Sequence, residues 1–102
     1  MSEDVDYAFD WDDVKADLNL RKHGVDFLEA MTVFGDPLMR TRFDDAHSDN
    51  DERWVSLALS VNQRLLVVVH NFTATGADSA LVRIISAPPA SRNERKQYEE
   101  QH

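Results

Sequence analysis

His23 follows Lys22 in the stretch "RKHGV". Together they could offer a phosphate contact and a proton-transfer group. The plainer role is capping, because a cation at the end of a helix complements its dipole. Arg83 stands in "LVRII", a cation among strand-forming apolar residues, where a charge usually has a partner or a function. Glu52 and Arg53 open another strand. If Arg53 and Arg83 share one sheet face, they could clamp a single phosphate. His70 interrupts a valine-rich run, and its plainer role is a hydrogen-bonded histidine at the core edge. Arg92, Arg95, Lys96 and Tyr98 line the final segment, a pattern that commonly means a solvated helix face. The four histidines lack the spacing of a metal site, and there is no cysteine. A phosphate-cradling glycine loop and a nucleophile elbow are also missing, so no cofactor is expected.

The elements that must carry these residues follow from the pattern. The chain has 102 residues, enough for one domain spanning 1–102 with a modest core. Residues 1–6 read as a loose acidic tail. "YAFDW" alternates as a short strand. A helix then starts at an Asp12 or Asp13 cap, turns Val14, Leu18 and Leu20 or Arg21 inward, and stops at Gly24. "DFLE" has capping-box spacing and opens a second helix, ended by "GDP". Leu38–Phe43 reads as a strand and "DDAHSDND" as a polar loop. "RWVSLALS" alternates, with Val55, Leu57 and Leu59 on one face. "RLLVVVHNF" returns as a buried strand, "TATGADS" turns, and "ALVRIISA" is a further strand. Ser91 and Glu94 form a second capping box before the last helix. Glu29, Glu94, Glu99 and Glu100 read as capping and surface residues. Short turns between consecutive strands imply an antiparallel sheet with helices on one face, an α+β architecture.

Hydrophobic content is 42% and charged content 29%, as in globular rather than disordered chains. No apolar run has membrane-spanning length, and the acidic start is unlike a secretory signal, so a cytoplasmic protein with no membrane association is expected. The formal net charge is −8, and residues 1–13 hold six acids and no base. That balance opposes non-specific nucleic-acid binding but permits a local cationic site, and it favours a basic protein partner.

Several motifs in order resemble the BrnT family of bacterial type II toxins. They are "FDWDDVKADLNLRKHGVDFLEAMTVFGDP", "DERW", "LLVVVH", and "VRIISA" followed by "ERKQYEE", together covering roughly Tyr7 to Glu99. The resemblance implies a RelE-like fold with two N-terminal helices on the sheet and a C-terminal helix. It implies metal-independent RNA cleavage and translation arrest. It also implies neutralisation by a BrnA-like antitoxin with a ribbon-helix-helix part, which would make the contacts to operator DNA. The residues that fit such chemistry are Lys22, His23, Glu52, Arg53 and Arg83, with Arg92 and Tyr98 as RNA contacts. Phosphate binding would fall to Arg53 and Arg83, and proton transfer to His23 or Glu52. Family members usually read I-S-A-R at the end of the last strand, whereas this chain has Pro88 in place of the arginine. Proline suits a strand ending before a helix cap but supplies no charge. The implied alternative is a catalytically impaired homologue, kept for antitoxin binding and operon autoregulation.

Overall fold

The computed structural model describes residues 5–47 and 52–100. The elements are β1 (Asp6–Trp11), α1 (Asp13–His23), α2 (Phe27–Ala30), β2 (Arg40–Phe43), β3 (Trp54–Leu59), β4 (Leu65–Gly76), β5 (Ser79–Ser86) and α3 (Arg92–Glu99). A 3-10 segment, Met31–Gly35, continues α2, and another, Asp45–His47, follows β2. The acidic tail lies outside the described residues up to position 4, as do residues 48–51 of the polar loop and His102. Asp6 already belongs to β1, so any tail is shorter than expected.

The sheet order is β1-β5-β4-β3-β2. Strands β2 to β5 form the expected antiparallel meander. The sheet as a whole is mixed, because β1 pairs with β5 in parallel from Asp6↔Ser79 to Trp11↔Ile84. Two parallel strands cannot be joined by a hairpin. Here the helices and three strands separate them in sequence, so adjacency along the chain did not reveal the pairing. β4 also runs to Gly76, because Thr73 pairs with Leu81 and Ala74 with Ala80. "TATG" is thus strand rather than turn.

Both faces of the central strands are covered, which explains the unbroken "LLVVV" run. On one face Val25, Phe27, Ala30 and Val33 pack with Leu66, Val68, Val82 and Ile84. On the other, Tyr98 of α3 packs with Val55, Leu57, Leu65 and Val67. Residues of α1 and α2 thus cover one face and α3 the other.

Asp12 caps α1 through its side chain, and Gly24 ends it at φ 68°. The inward side of α1 differs from the apolar reading. Val14, Leu18 and Leu20 are exposed, while Asn19 is buried. The Asn19 amide donates to the carbonyls of Val25 and Ala87 at 3.0 and 3.1 Å, and its oxygen accepts from the Ala87 N–H at 2.9 Å. It satisfies backbone groups where the chain leaves β5, which an apolar side chain could not do.

Glu29 is a second correction. Asp26 caps α2, but Glu29 does not complete a capping box. It accepts from Ser60 at 2.6 Å and pairs with Arg64 through two guanidinium nitrogens. Those bonds hold its carboxyl well below the usual 4.5, at about 2. The capping box of Ser91 and Glu94 forms as expected.

Pro88 and Pro89 continue alongside β4. Val67 N–H donates to the Pro88 carbonyl, Leu66 bridges Pro89, and Ala90 N–H donates to Leu65. Pro88 occupies a hydrogen-bonded position and forfeits one ladder bond, while Pro89 lies between bonded pairs and forfeits none.

Candidate functional site: an arginine-bearing sheet face

Register decides which side chains meet. Asn71 pairs with Arg83 across β4 and β5, and Trp54 pairs with His70 across β3 and β4. Side chains alternate along a strand, so Arg53, Asn71 and Arg83 share the face that also carries Val55, Val67 and α3. The common face expected for Arg53 and Arg83 is therefore present in the backbone. Glu52 and Arg83 line one shallow depression of about 330 Å³ together with Asn71 and Leu81. The Asn71 amide donates to the Glu52 carbonyl at 2.7 Å, tying the start of β3 to the middle of β4. Arg83 is exposed and forms an ion pair with Asp10, its register neighbour on β1.

A second groove, of about 370 Å³, opens on the same face between β2 and α3. Val55, Leu57 and Val67 line it from the sheet, Arg40 and Arg42 from β2, and Asn93, Glu94 and Gln97 from α3. Arg40 also donates to the Gln97 carbonyl at 3.1 Å, bracing the end of α3. Arg40 and Arg42 were absent from the sequence-derived candidates. The signal was available: in "RTRF" the two arginines stand two apart, so a strand must place both on one face. Pro88 lies opposite Val67 and so faces this side. An arginine there would add a cation beside the groove, and proline does not.

Lys22 and His23 are elsewhere. Asn19 and Ala16 lie against the core on the opposite side of the sheet from α3, and His23 follows Asn19 by one helical turn. Gly24, next in the chain, is held through its carbonyl by Arg64 at 3.0 Å. Arg64 and Asn71 are seven positions apart in β4 and the residue before it, roughly 23 Å of extended chain. The structure does not bring Lys22 and His23 together with Glu52, Arg53 and Arg83.

Tyr98 corrects the expectation of an RNA contact. It is 5% exposed, and its hydroxyl donates to Asp36 at 2.5 Å. Burial and that carboxylate push its phenol up to about 12. Asp36 also accepts from the backbone N–H groups of Leu38 and Leu59, so it fastens α3 to the sheet edge. Arg92 is exposed on the first turn of α3.

His70 is structural. It is 1% exposed, stacked edge-on against Phe34. Its Nδ1 faces the Asn71 carbonyl at 3.2 Å and therefore carries the hydrogen. Its Nε2 then accepts from Ser56 at 2.9 Å, and Ser56 accepts from Thr41 at 2.8 Å. Burial pushes its pKa below the usual 6.5 and keeps the ring neutral. Among the described residues, no group of three or more His, Cys, Asp or Glu is placed to hold a metal ion. No helix among them is long and apolar enough to cross a membrane.

A family model described as the ribonuclease toxin BrnT of type II toxin-antitoxin systems matches residues 11–94. The crystal structure of the Brucella abortus ribonuclease toxin BrnT is similar at a TM-score of 0.55 and 19% sequence identity. That match covers 86% of this chain and 100% of the Brucella chain, and at this identity it speaks to the fold. No curated protein sequence matches the chain.

Proposed function

The chain belongs to the BrnT family of ribonuclease toxins of type II toxin-antitoxin systems, and from that premise we propose that it is an endoribonuclease working on the α3 side of its sheet. One observation carries the choice of side. Glu52 and Arg83 line the same depression, and Arg53 follows Glu52 in the chain, whereas Lys22 and His23 end a helix that packs on the other side of the sheet.

In the proposed reaction an RNA 2′-hydroxyl attacks the adjacent phosphorus, and the 5′-oxygen leaves. The Glu52 carboxylate takes the hydroxyl proton, the P–O5′ bond breaks as the 2′,3′-cyclic phosphate forms, and the departing 5′-oxygen takes a proton from water. Arg53 and Arg83 hold the phosphate and stabilise the extra charge on the phosphorane, a metal-independent route in which guanidinium groups supply the positive charge. Arg92 contacts RNA beyond the scissile step. Cleavage of this kind would inhibit translation in the cytoplasm. A BrnA-like antitoxin with a ribbon-helix-helix part would neutralise the toxin and make the operator contacts, and the fold would be RelE-like.

A second reading rests on two observations. Arg83 is already paired with Asp10, and position 88 carries proline where the resemblance leads one to expect arginine. Both reduce the cationic strength of the face. On this reading the chain is a catalytically impaired toxin retained for antitoxin binding and operon autoregulation.

Controlled expression of the native chain, Arg83→Ala and Pro88→Arg separates the two. A catalytic toxin arrests growth and Arg83→Ala relieves the arrest. A harmless native chain that becomes toxic as Pro88→Arg establishes the second reading. Toxicity that persists in the Arg53→Ala, Arg83→Ala double variant overturns the assigned site.

A further inference from the structure

We propose that the groove between β2 and α3 is a nucleobase subsite that prefers guanine in single-stranded RNA. The inference rests on the ribonuclease reading above and names what the second groove of that face would hold. The floor is aliphatic, built from Val55, Leu57 and Val67, and suits a flat ring rather than a bare phosphate. The walls carry opposite chemistry. Arg42 on β2 offers only hydrogen-bond donors, and Glu94 on α3 offers only acceptors when ionised. Asn93, also on the α3 wall, offers both.

A carboxylate beside the groove repels a phosphate or an acidic peptide. It does not repel a base that presents donors to it. Guanine presents the acceptors O6 and N7 on one edge and the N2 amino donor on another. Arginine on O6 and N7 is the commonest base-specific contact. Adenine would turn its N6 donor towards Arg42, and a pyrimidine would leave part of the floor uncovered.

The walls are also braced. Glu94 is held by the Ser91 N–H through Oε1 at 2.7 Å, which leaves Oε2 for a ligand. Arg40 ties β2 to the end of α3 through the Gln97 carbonyl. The groove is close to the proposed reaction site. Val55, in β3, lies two residues after Arg53, about 7 Å of extended chain. A base seated here would belong to a nucleotide next to the scissile step.

The test uses the full chain and fully 2′-O-methylated RNA hexamers, which cannot be cleaved through a 2′-hydroxyl. Four hexamers are compared by fluorescence anisotropy at one salt concentration: all uridine, and uridine with a single guanine, adenine or cytosine. The guanine hexamer should bind about 10-fold tighter than the others, within the range of a good bidentate base contact. Arg42→Gln should bring it level with the rest. Arg83→Ala should weaken all four alike and keep the preference. Equal binding of the four by the native chain overturns the proposal, as does a guanine preference that survives Arg42→Gln. Cleavage of unmodified RNA by Glu52→Gln and Arg83→Ala separates this failure from that of the parent reading. If both still cleave, the assigned reaction site is wrong. If both lose cleavage while no base is preferred, only the subsite falls. Failure to bind any hexamer overturns both.

Discussion

The two faces of the sheet put most of their polar residues to different use, although Tyr98 with Asp36 and Arg40 with Gln97 brace the α3 side as well. On the face covered by α1 and α2, the polar groups serve the architecture. Asn19 closes the exit of β5, His70 and Ser56 satisfy each other, and Glu29 pairs with Arg64. On the α3 face, Arg42, Glu52 and Arg83 border grooves. The difference teaches that a chemically capable residue type is not a site. His70 has a hydroxyl at 2.9 Å, as a catalytic pair would, yet both side chains are fully enclosed and no substrate can reach them. Arg83 is ordinary in type and open in place.

The contrast can be broken most severely through the proposed catalytic cations. The Arg53→Ala, Arg83→Ala double variant should lose about 10²–10³-fold or more of RNA cleavage, measured on a labelled oligonucleotide. Its stability should change little on account of Arg83, because an exposed ion pair such as Arg83 with Asp10 contributes about 0–1 kcal/mol.

The next largest effect belongs to the other face. Asn19→Ala leaves the buried Ala87 N–H and its neighbouring carbonyls unsatisfied, costing about 2–3 kcal/mol. At about 4–8 °C per kcal/mol for a chain of this size, the thermal midpoint should fall by roughly 10 °C or more. A shift of only a degree or two would show that Asn19 is not the anchor described.

Glu29 gives a pH signature. Its folded pKa is depressed from 4.5 to about 2, so its stabilisation is complete above the unfolded value. It is lost as pH falls from about 4.5 towards 2, on the order of 2 kcal/mol once the partial exposure of Arg64 is allowed for. Urea denaturation across that range should show the decline, and Glu29→Gln should flatten it.

The smallest effect sharpens the picture of α1. Val14→Gln and Leu18→Gln should each stay within about 0.5 kcal/mol of the native stability, because both side chains face solvent. A loss of 2 kcal/mol in urea denaturation would restore the apolar side of α1 to the core.

Much of this fold was legible because strands and caps have local signatures. The alternation of Trp54–Leu59, the Asp12 cap, the Gly24 stop and the Ser91–Glu94 box all follow from short-range chemistry. What failed was what depends on distant partners. Val14 and Leu18 are apolar at helical spacing, but α1 covers a place where backbone groups need an amide, so Asn19 turns inward instead. The parallel pairing of β1 with β5 joins the two strands most distant in sequence. Tyr98 reads as the end of a charged face, and only Asp36, reached across the fold, reveals it as an anchor. For the site, Arg83 was legible as a cation within a strand and Arg53 as one at a strand's start, which the structure places just before β3, but their separation from Lys22 and His23 was not. Arg40 and Arg42 were visible in "RTRF" and needed the neighbouring α3 to give them meaning.

The central claim is that RNA chemistry belongs to the α3 face and not to the K-H-G corner. The most direct test is cleavage of one RNA substrate by purified native chain, Glu52→Gln, Arg83→Ala and the Lys22→Ala, His23→Gln double variant. Loss of cleavage in the first two variants, with native rates in the double variant, is the predicted result. Native rates in Glu52→Gln and Arg83→Ala, with loss in the double variant, would place the reaction at the end of α1 and contradict the account.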